Sequence, residues 1–294
     1  MKILLFGAGG LLGRHLAVEL AAHGHQLCAF TRPEADITNR ARLDEIFGES
    51  WDAVINAAAV CDFAACEKHR EATNRINRDA PLDLAARCAE RGAVFVQFSS
   101  DYVFRGDRNQ CWTENDPAQP LSVYGEQKAA LERDIPGLCP RSLILRLSWL
   151  YGTGGRTFMS LLPSLLAQQE LLRVASGKTG RCLYAPDAAV WTRRLVECGD
   201  TGLFNLVNAG DTSWEEFAHT CREQMAAAGT NPRCRLVEEI PFGELGPDWP
   251  KRPRYSCLDT AKLAEAHPPG PRPWKEALDA FLREDKSFAA SAPL

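Results

Sequence analysis

Tyr124 and Lys128 stand four residues apart in a stretch, 123–133, whose apolar spacing predicts a helix, so both side chains leave the same face. A free tyrosine titrates near about 10, too high for acid-base work at neutral pH, and a nearby ammonium favours its phenolate. About two dozen residues upstream, Ser100 closes the run Phe98-Ser99-Ser100-Asp101 just past an expected strand, where a hydroxyl can steady charge that grows on an oxygen. A serine, a tyrosine and a lysine in that order suit proton transfer at a carbonyl. Such a set still needs a hydride donor beside it.

The chain offers a place for one. Gly7-Ala8-Gly9-Gly10-Leu11-Leu12-Gly13 lies between an expected strand and an expected helix, where glycines let the backbone turn tightly and approach a pyrophosphate at the helix N-terminus. The spacing of Gly7, Gly10 and Gly13 is that of short-chain dehydrogenases. At the end of the second strand, Phe30-Thr31-Arg32 puts an arginine where NAD-selective chains carry an acid, which points to NADP(H), with NAD(H) as the alternative. Asp36 and Ile37 are placed to meet adenine, and the small residues Ala57, Ala58 and Ala59 let a cofactor lie close to the backbone. With a nicotinamide there, Lys128 also holds its ribose, the oxidised ring and the ammonium together draw the Tyr124 pKa toward the working range, and hydride leaves C4 for a carbonyl carbon.

Elements able to hold these groups follow from the periodicity. Short apolar runs at 2–6, 26–30, 52–55, 93–98 and 142–147 read as strands, and 11–23, 41–47 and 77–91 carry apolar residues at helical spacing. That alternation predicts an α/β fold of Rossmann type, a doubly wound parallel sheet. Residues 1–152 are expected to form the NADP(H)-binding domain with the catalytic set, and 153–294 mainly a substrate lobe interleaved with it. In the second half 158–169 reads as a helix and 203–207 as a strand, 241–273 is punctuated by proline, and 287–294 reads as a disordered tail.

Composition excludes other classes. A net charge of −4 with scattered lysines and arginines gives no stripe for a nucleic acid or a membrane surface, and favours a small-molecule substrate. No apolar run approaches the roughly 20 residues of a membrane span, and Met1 to Phe6 reads as a buried strand rather than a leader. The 11 cysteines include no Cys-x-x-Cys pair and no zinc spacing, so no metal site is assigned, and free thiols in a reducing cytoplasm are expected. Cys61 and Cys66 read as packing residues.

Longer segments add a resemblance. Ser99-Ser100-Asp101-Tyr102-Val103-Phe104-Arg105-Gly106, Thr113-Glu114-Asn115-Asp116-Pro117 and Pro120-Leu121-Ser122-Val123-Tyr124-Gly125 resemble the dTDP-4-dehydrorhamnose reductase family. The likeness continues through Arg146-Leu147-Ser148-Trp149-Leu150-Tyr151-Gly152, residues 202–210 and Arg252-Pro253-Arg254-Tyr255, and so spans nearly the whole chain. It implies an extended short-chain reductase that acts on the 4-keto group of a nucleotide-linked 6-deoxyhexose, with Ser100, Tyr124 and Lys128 as the catalytic set. By the same resemblance Phe104 and Trp149 face substrate or nicotinamide, Arg252 lies near the substrate diphosphate, and a homodimer is an assembly open to the chain. The sequence departs from the pattern at Thr31, at Cys61, at Gly155-Arg156-Thr157-Phe158 and at Gly180-Arg181-Cys182-Leu183. Those departures leave a different keto-sugar open. A non-catalytic NADP-binding regulatory subunit, like the β subunit of methionine adenosyltransferase, is the other reading of the same resemblance.

Overall fold

The computed structural model describes residues 1–230, 232–241 and 252–285. The expectation for 287–294 and that for 242–251 within the proline-punctuated stretch lie outside the described residues. Strands Lys2–Phe6 (β1), Gln26–Phe30 (β2), Ala53–Asn56 (β3), Val94–Ser100 (β4) and Ser142–Leu147 (β5) fall where the apolar runs predict them. Helices Leu11–Ala22 (α1), Arg40–Ile46 (α2), Phe63–Lys68 (α3), Arg70–Asn74 (α4), Ala80–Arg91 (α5) and Val123–Leu138 (α6) alternate with them. Beyond lie strands Leu150–Tyr151 (β6), Leu171–Ser176 (β7), Thr179–Gly180 (β8), Leu183–Tyr184 (β9), Gly202–Asn205 (β10), Thr212–Ser213 (β11) and Leu236–Pro241 (β12). Helices Phe158–Gln168 (α7), Ala185–Cys198 (α8), Trp214–Ala227 (α9), Ala261–Ala266 (α10) and Trp274–Glu284 (α11) complete the described chain.

Six strands form one parallel sheet in the order β10-β5-β4-β3-β1-β2. The inner strands β1, β3, β4 and β5 are buried on both faces, which is why they read as continuous apolar runs rather than alternating ones, while the edge strand β2 is partly exposed. On one face Leu12, Leu16 and Leu20 of α1 and Ala188, Trp191 and Leu195 of α8 cover Ile3, Leu5, Ile55 and Leu145. On the other, Leu43 and Ile46 of α2, Leu84 and Cys88 of α5, and Leu131 and Ile135 of α6 cover Leu4, Phe6, Val54 and Phe95. The chain order reverses between β1 and β3, and a crevice opens there outside the carboxyl ends of the strands.

The second lobe has its own core, in which Tyr151, Leu162, Phe217, Trp274 and Phe281 pack around the parallel pair β7 and β12. The segment between does not stay in that lobe. After β9 the chain returns through α8 and β10, and β10 pairs with β5 as the sixth strand of the main sheet.

The helix expected at 77–91 begins earlier. Residues 70–91 run on as α4, a wide π turn at Arg75–Asp79 and α5. The wide turn aims Asn77 inward, where it accepts from the Val60 amide at 2.8 Å and donates to Gln127 Oε1 at 2.8 Å. The polar Arg70-Glu71-Ala72-Thr73-Asn74 stretch hides that extension from an apolar-periodicity reading.

Candidate active site

The glycine loop fits a dinucleotide backbone. Gly7 has φ +80, and a Cβ on it would lie 2.5 Å from the Ala58 amide nitrogen. A Cβ on Gly13 would lie 2.1 Å from the Gly7 carbonyl oxygen, so α1 can seat against the loop only because position 13 is bare. Helix α1 starts at Gly10 with no side-chain cap and no acid in its first turn, which leaves its first amides for an anion. A groove of about 360 Å³ runs past this terminus, lined by Gly7, Gly10, Thr31, Arg32, Asp36, Ile37 and Ala57 to Ala59. Leu12 packs in the sheet core and Leu11 lies against Gly155, and neither they nor Gly13 line the groove.

Arg32 extends at the groove rim, mostly exposed and only loosely paired with Asp36 at 3.6 Å. Asp36 is occupied in a turn, accepting from the Thr38 amide at 2.9 Å and hydroxyl at 2.7 Å, and those bonds hold its carboxyl below the usual range. Glu34 accepts from both the amide and the hydroxyl of Thr31 at 2.7 Å. An acid therefore does stand at the end of β2, three residues later than the one whose absence the sequence suggested.

Tyr124 and Lys128 sit in the first turns of α6, whose start is fixed by Ser122 accepting from the Gly125 amide at 3.2 Å. The Tyr124 ring meets Phe63 and Tyr102 edge-on, at centroid distances of 5.1 and 6.0 Å. Lys128 donates to the Phe98 carbonyl at 3.0 Å and its ammonium lies 5.5 Å from the Tyr124 ring centroid. These groups do not bring Tyr124 toward neutrality by themselves. Burial pushes its pKa well above 10, Cys61 beside it adds to the rise, and burial also lowers that of Lys128. Cys61 Sγ lies 4.0 Å from the Tyr124 hydroxyl. Without a nicotinamide's charge the residue is a phenol, the form that donates a proton.

Ser100 ends β4 and its hydroxyl donates to Asp101 Oδ1 at 3.0 Å, while its oxygen accepts from the Tyr102 amide at 3.3 Å. Asp101 is almost wholly buried and also accepts from the Ser148 hydroxyl at 2.9 Å. Burial pushes its carboxyl pKa up, and Lys178, Ser256, Ser148 and Ser100 pull against that. Lys178 is fully buried, and burial takes its ammonium down to about 8 with Asp101 opposing the fall. Trp149 is half-buried at φ 37, in the left-handed region that costs a non-glycine residue strain. Its indole stacks edge-on to Trp214 at 6.0 Å. Arg252 lays its guanidinium over Phe63 at 4.9 Å, and Phe63 also stacks on Tyr102 at 4.4 Å.

Phe104 does not join them. It is fully buried, stacked on Trp112 at 4.4 Å with the Arg146 guanidinium 4.7 Å from its ring centroid, in a small core with Val103, Val207 and Leu258. The expectation that it faces substrate is corrected: the strand end turns after Asp101 through one 3-10 turn, and that turn sends Phe104 inward.

The family profile described as the RmlD substrate binding domain matches residues 1–287. The chain belongs to that family. A spore coat polysaccharide biosynthesis protein of Bacillus subtilis is 33% identical over 287 residues, 97% of this chain and 98% of its own. The dTDP-4-dehydrorhamnose reductase of Aggregatibacter actinomycetemcomitans is 31% identical over 285 residues, 94% and 97% of the two chains. A crystal structure of dTDP-4-dehydrorhamnose reductase from Bacillus anthracis in complex with NADP superposes with a TM-score of 0.89 at 29% identity, covering 97% of this chain and 100% of that one.

In this RmlD-family chain the sequence reading missed Asp101, Lys178, Ser148, Trp214 and Glu34. Asp101 carried a signal, since it follows Ser100 directly. Lys178 carried none, because Gly177-Lys178-Thr179-Gly180 reads as an exposed turn. All 11 cysteines are free. Among the described residues two groups gather metal-type ligands, Cys111 with Asp211 and Cys257, and Cys198 with Asp200 and His267. In the first, Arg181 donates to Asp211 at 2.8 Å and to Cys111 at 3.4 Å, which puts a guanidinium where a cation would sit. Among the described residues no helix is long and apolar enough to cross a membrane.

Proposed function

We propose that this RmlD-family oxidoreductase uses NADPH to reduce the 4-keto group of a nucleotide-linked 6-deoxyhexose, dTDP-4-dehydro-L-rhamnose to dTDP-L-rhamnose. What supports the reading is Ser100 at the carboxyl end of β4, with Lys128 of α6 bonded to the Phe98 carbonyl of the same strand and 5.5 Å from the Tyr124 ring, together with a glycine-loop groove that has Arg32 on its rim. The names of its relatives support the same substrate class. Gly7, Gly10, Gly13 and the open start of α1 would hold the pyrophosphate, Arg32 the 2′-phosphate, and Lys128 the nicotinamide ribose. Bound there, NADPH supplies hydride to the carbonyl carbon.

The side chains do the rest. Tyr124, held as a phenol by its burial, gives its proton to the carbonyl oxygen. Ser100 can donate to that oxygen only when its proton is not committed to Asp101. Trp149 and Arg252 bound the space left for sugar and diphosphate. The 11 free thiols suit a reducing cytoplasm.

The test is NADPH oxidation by purified protein with freshly generated dTDP-4-dehydro-L-rhamnose, and NADH run alongside. Rapid oxidation with formation of dTDP-L-rhamnose is the expected result. A protein that binds NADPH and oxidises none of it on any nucleotide keto-sugar would remove the assignment and favour a regulatory role.

A further inference from the structure

Two buried hydrogen-bond donors beside the candidate active site have no partner, the Lys178 ammonium and the Trp149 indole nitrogen, and the Ser256 hydroxyl, which acts on Asp101, lies beside them. They belong to one cluster. Lys178 Nζ lies 5.5 Å from the Trp149 ring, and a Cβ built on Gly180 would fall 2.6 Å from Trp149 Cζ2 and 3.1 Å from Ser256 Oγ. Gly180 is thus the bare spot that lets these groups share one space. Nζ is otherwise surrounded by rings, Tyr102 at 5.1 Å and Trp214 at 5.6 Å. Leaving one buried donor unpaired is costly, and an ammonium more so, which marks the cluster as completed by something outside the chain.

The chemistry of that something is constrained. The ammonium and the indole N–H can only donate, so the ligand must present acceptor oxygens. Asp101 is the anion that acts on Lys178, and Arg252 is a second cation whose field opposes it. A ligand ammonium placed here would therefore meet two like charges, and a second carboxylate would meet Asp101. A neutral, oxygen-rich ring satisfies both limits.

We infer that Lys178 is a specificity-determining residue that donates to a hydroxyl oxygen of the substrate's sugar ring and selects hydroxy sugars over amino sugars. The inference rests on the proposed reduction only in taking the bound ring to be that of a nucleotide sugar. The ring reaches Nζ past Trp214, which is half-buried and contacts Trp149 and Phe158 by ring packing at 6.0 and 5.5 Å.

Calorimetric titration of the full-length protein saturated with NADP⁺ tests it, using dTDP-L-rhamnose and a dTDP-aminodeoxyhexose, with wild type, Lys178→Met and Lys178→Gln. Wild type should prefer the hydroxy sugar. Lys178→Met should weaken dTDP-L-rhamnose about tenfold or more and erode the preference, at unchanged NADP⁺ affinity. Lys178→Gln, which keeps a donor, should recover part of the loss. Equal affinity in wild type and Lys178→Met overturns the inference, as does a loss that extends to NADP⁺ and that Gln does not relieve. Turnover of the keto-sugar with no effect of Lys178 sinks this role and leaves the reduction standing. Sugar binding that depends on Lys178 without turnover does the reverse, and no binding of either sugar to wild type overturns both.

Discussion

In the proposed reduction one hydroxyl decides whether a carbonyl beside the groove becomes an alcohol. Tyr124 has the buried phenol that can release a proton, set edge-on to the rings of Phe63 and Tyr102 with the Cys61 thiol 4.0 Å from its hydroxyl. Tyr124→Phe keeps the ring packing and removes the proton, so turnover should fall by about 10² to 10⁴-fold while NADPH affinity, read by fluorescence titration, stays within a few fold. Unchanged turnover would transfer the proton to another group. Arg32 is a separate case, because its side chain is mostly exposed and its tie to Asp36 is loose. Arg32→Ala should weaken NADPH by about tenfold and leave NADH unaltered, the loss of one charge-assisted contact. Equal weakening of both cofactors would mean that Arg32 shapes the loop and does not read the phosphate.

Among the elements, β4, β5 and α6 hold the site together through a buried ion pair. Arg146 of β5 forks onto both oxygens of Glu132 in α6 at 2.8 Å, and Ser99 of β4 donates to the same carboxylate. Glu132→Ala leaves that guanidinium buried and unpaired and should cost about 3–5 kcal/mol, measured as a shift in the urea midpoint. A shift near zero would mean that water reaches Arg146. Much of this scaffold was legible beforehand, because a strand buried on both faces is a run of Val, Ile, Leu and Phe, and Tyr124 and Lys128 declare one helix face by spacing alone. The wide turn at 75–79 was not, since only the tertiary bonds of Asn77 to Val60 and Gln127 call for it. Phe104 was placed toward substrate by the resemblance alone, and the 3-10 turn at 101–103, too short to leave a periodic trace, precedes its entry into a small core. Lys178 was missed because a buried lysine and a solvated one look alike until its neighbours arrive from other segments.

At the scale of the whole molecule, the net charge of −4 rests on many surface pairs, most of which contribute little. Arg108 and Asp116 are better built: the guanidinium donates twice to the carboxylate and Thr113 adds its amide and hydroxyl. The Arg108 hydrogen bond, with those from Thr113, holds Asp116 at about 2, below its ordinary 3.8. A depressed carboxylate stabilises the fold above its unfolded value and loses that contribution as pH falls through the folded one. Wild type should therefore exceed Asp116→Asn in stability by a constant margin above pH about 4, and the margin should vanish toward pH about 2, as read from denaturant midpoints. A margin that does not change with pH would assign the stabilisation to shape rather than charge.

The return of the chain through α8 and β10 also governs how the protein can be made. A ribosome that has delivered residues up to 152 has released five strands of the sheet, yet the edge of β5 has no neighbour and Leu12, Leu16 and Leu20 have no α8 to cover them. The six-stranded sheet is not complete until some fifty further residues emerge, ending with β10 at Asn205. Cutting the gene at that seam to graft the front half onto another enzyme should yield a sticky, aggregating fragment, whereas a graft carried past Asn205 brings its own lid for the exposed face.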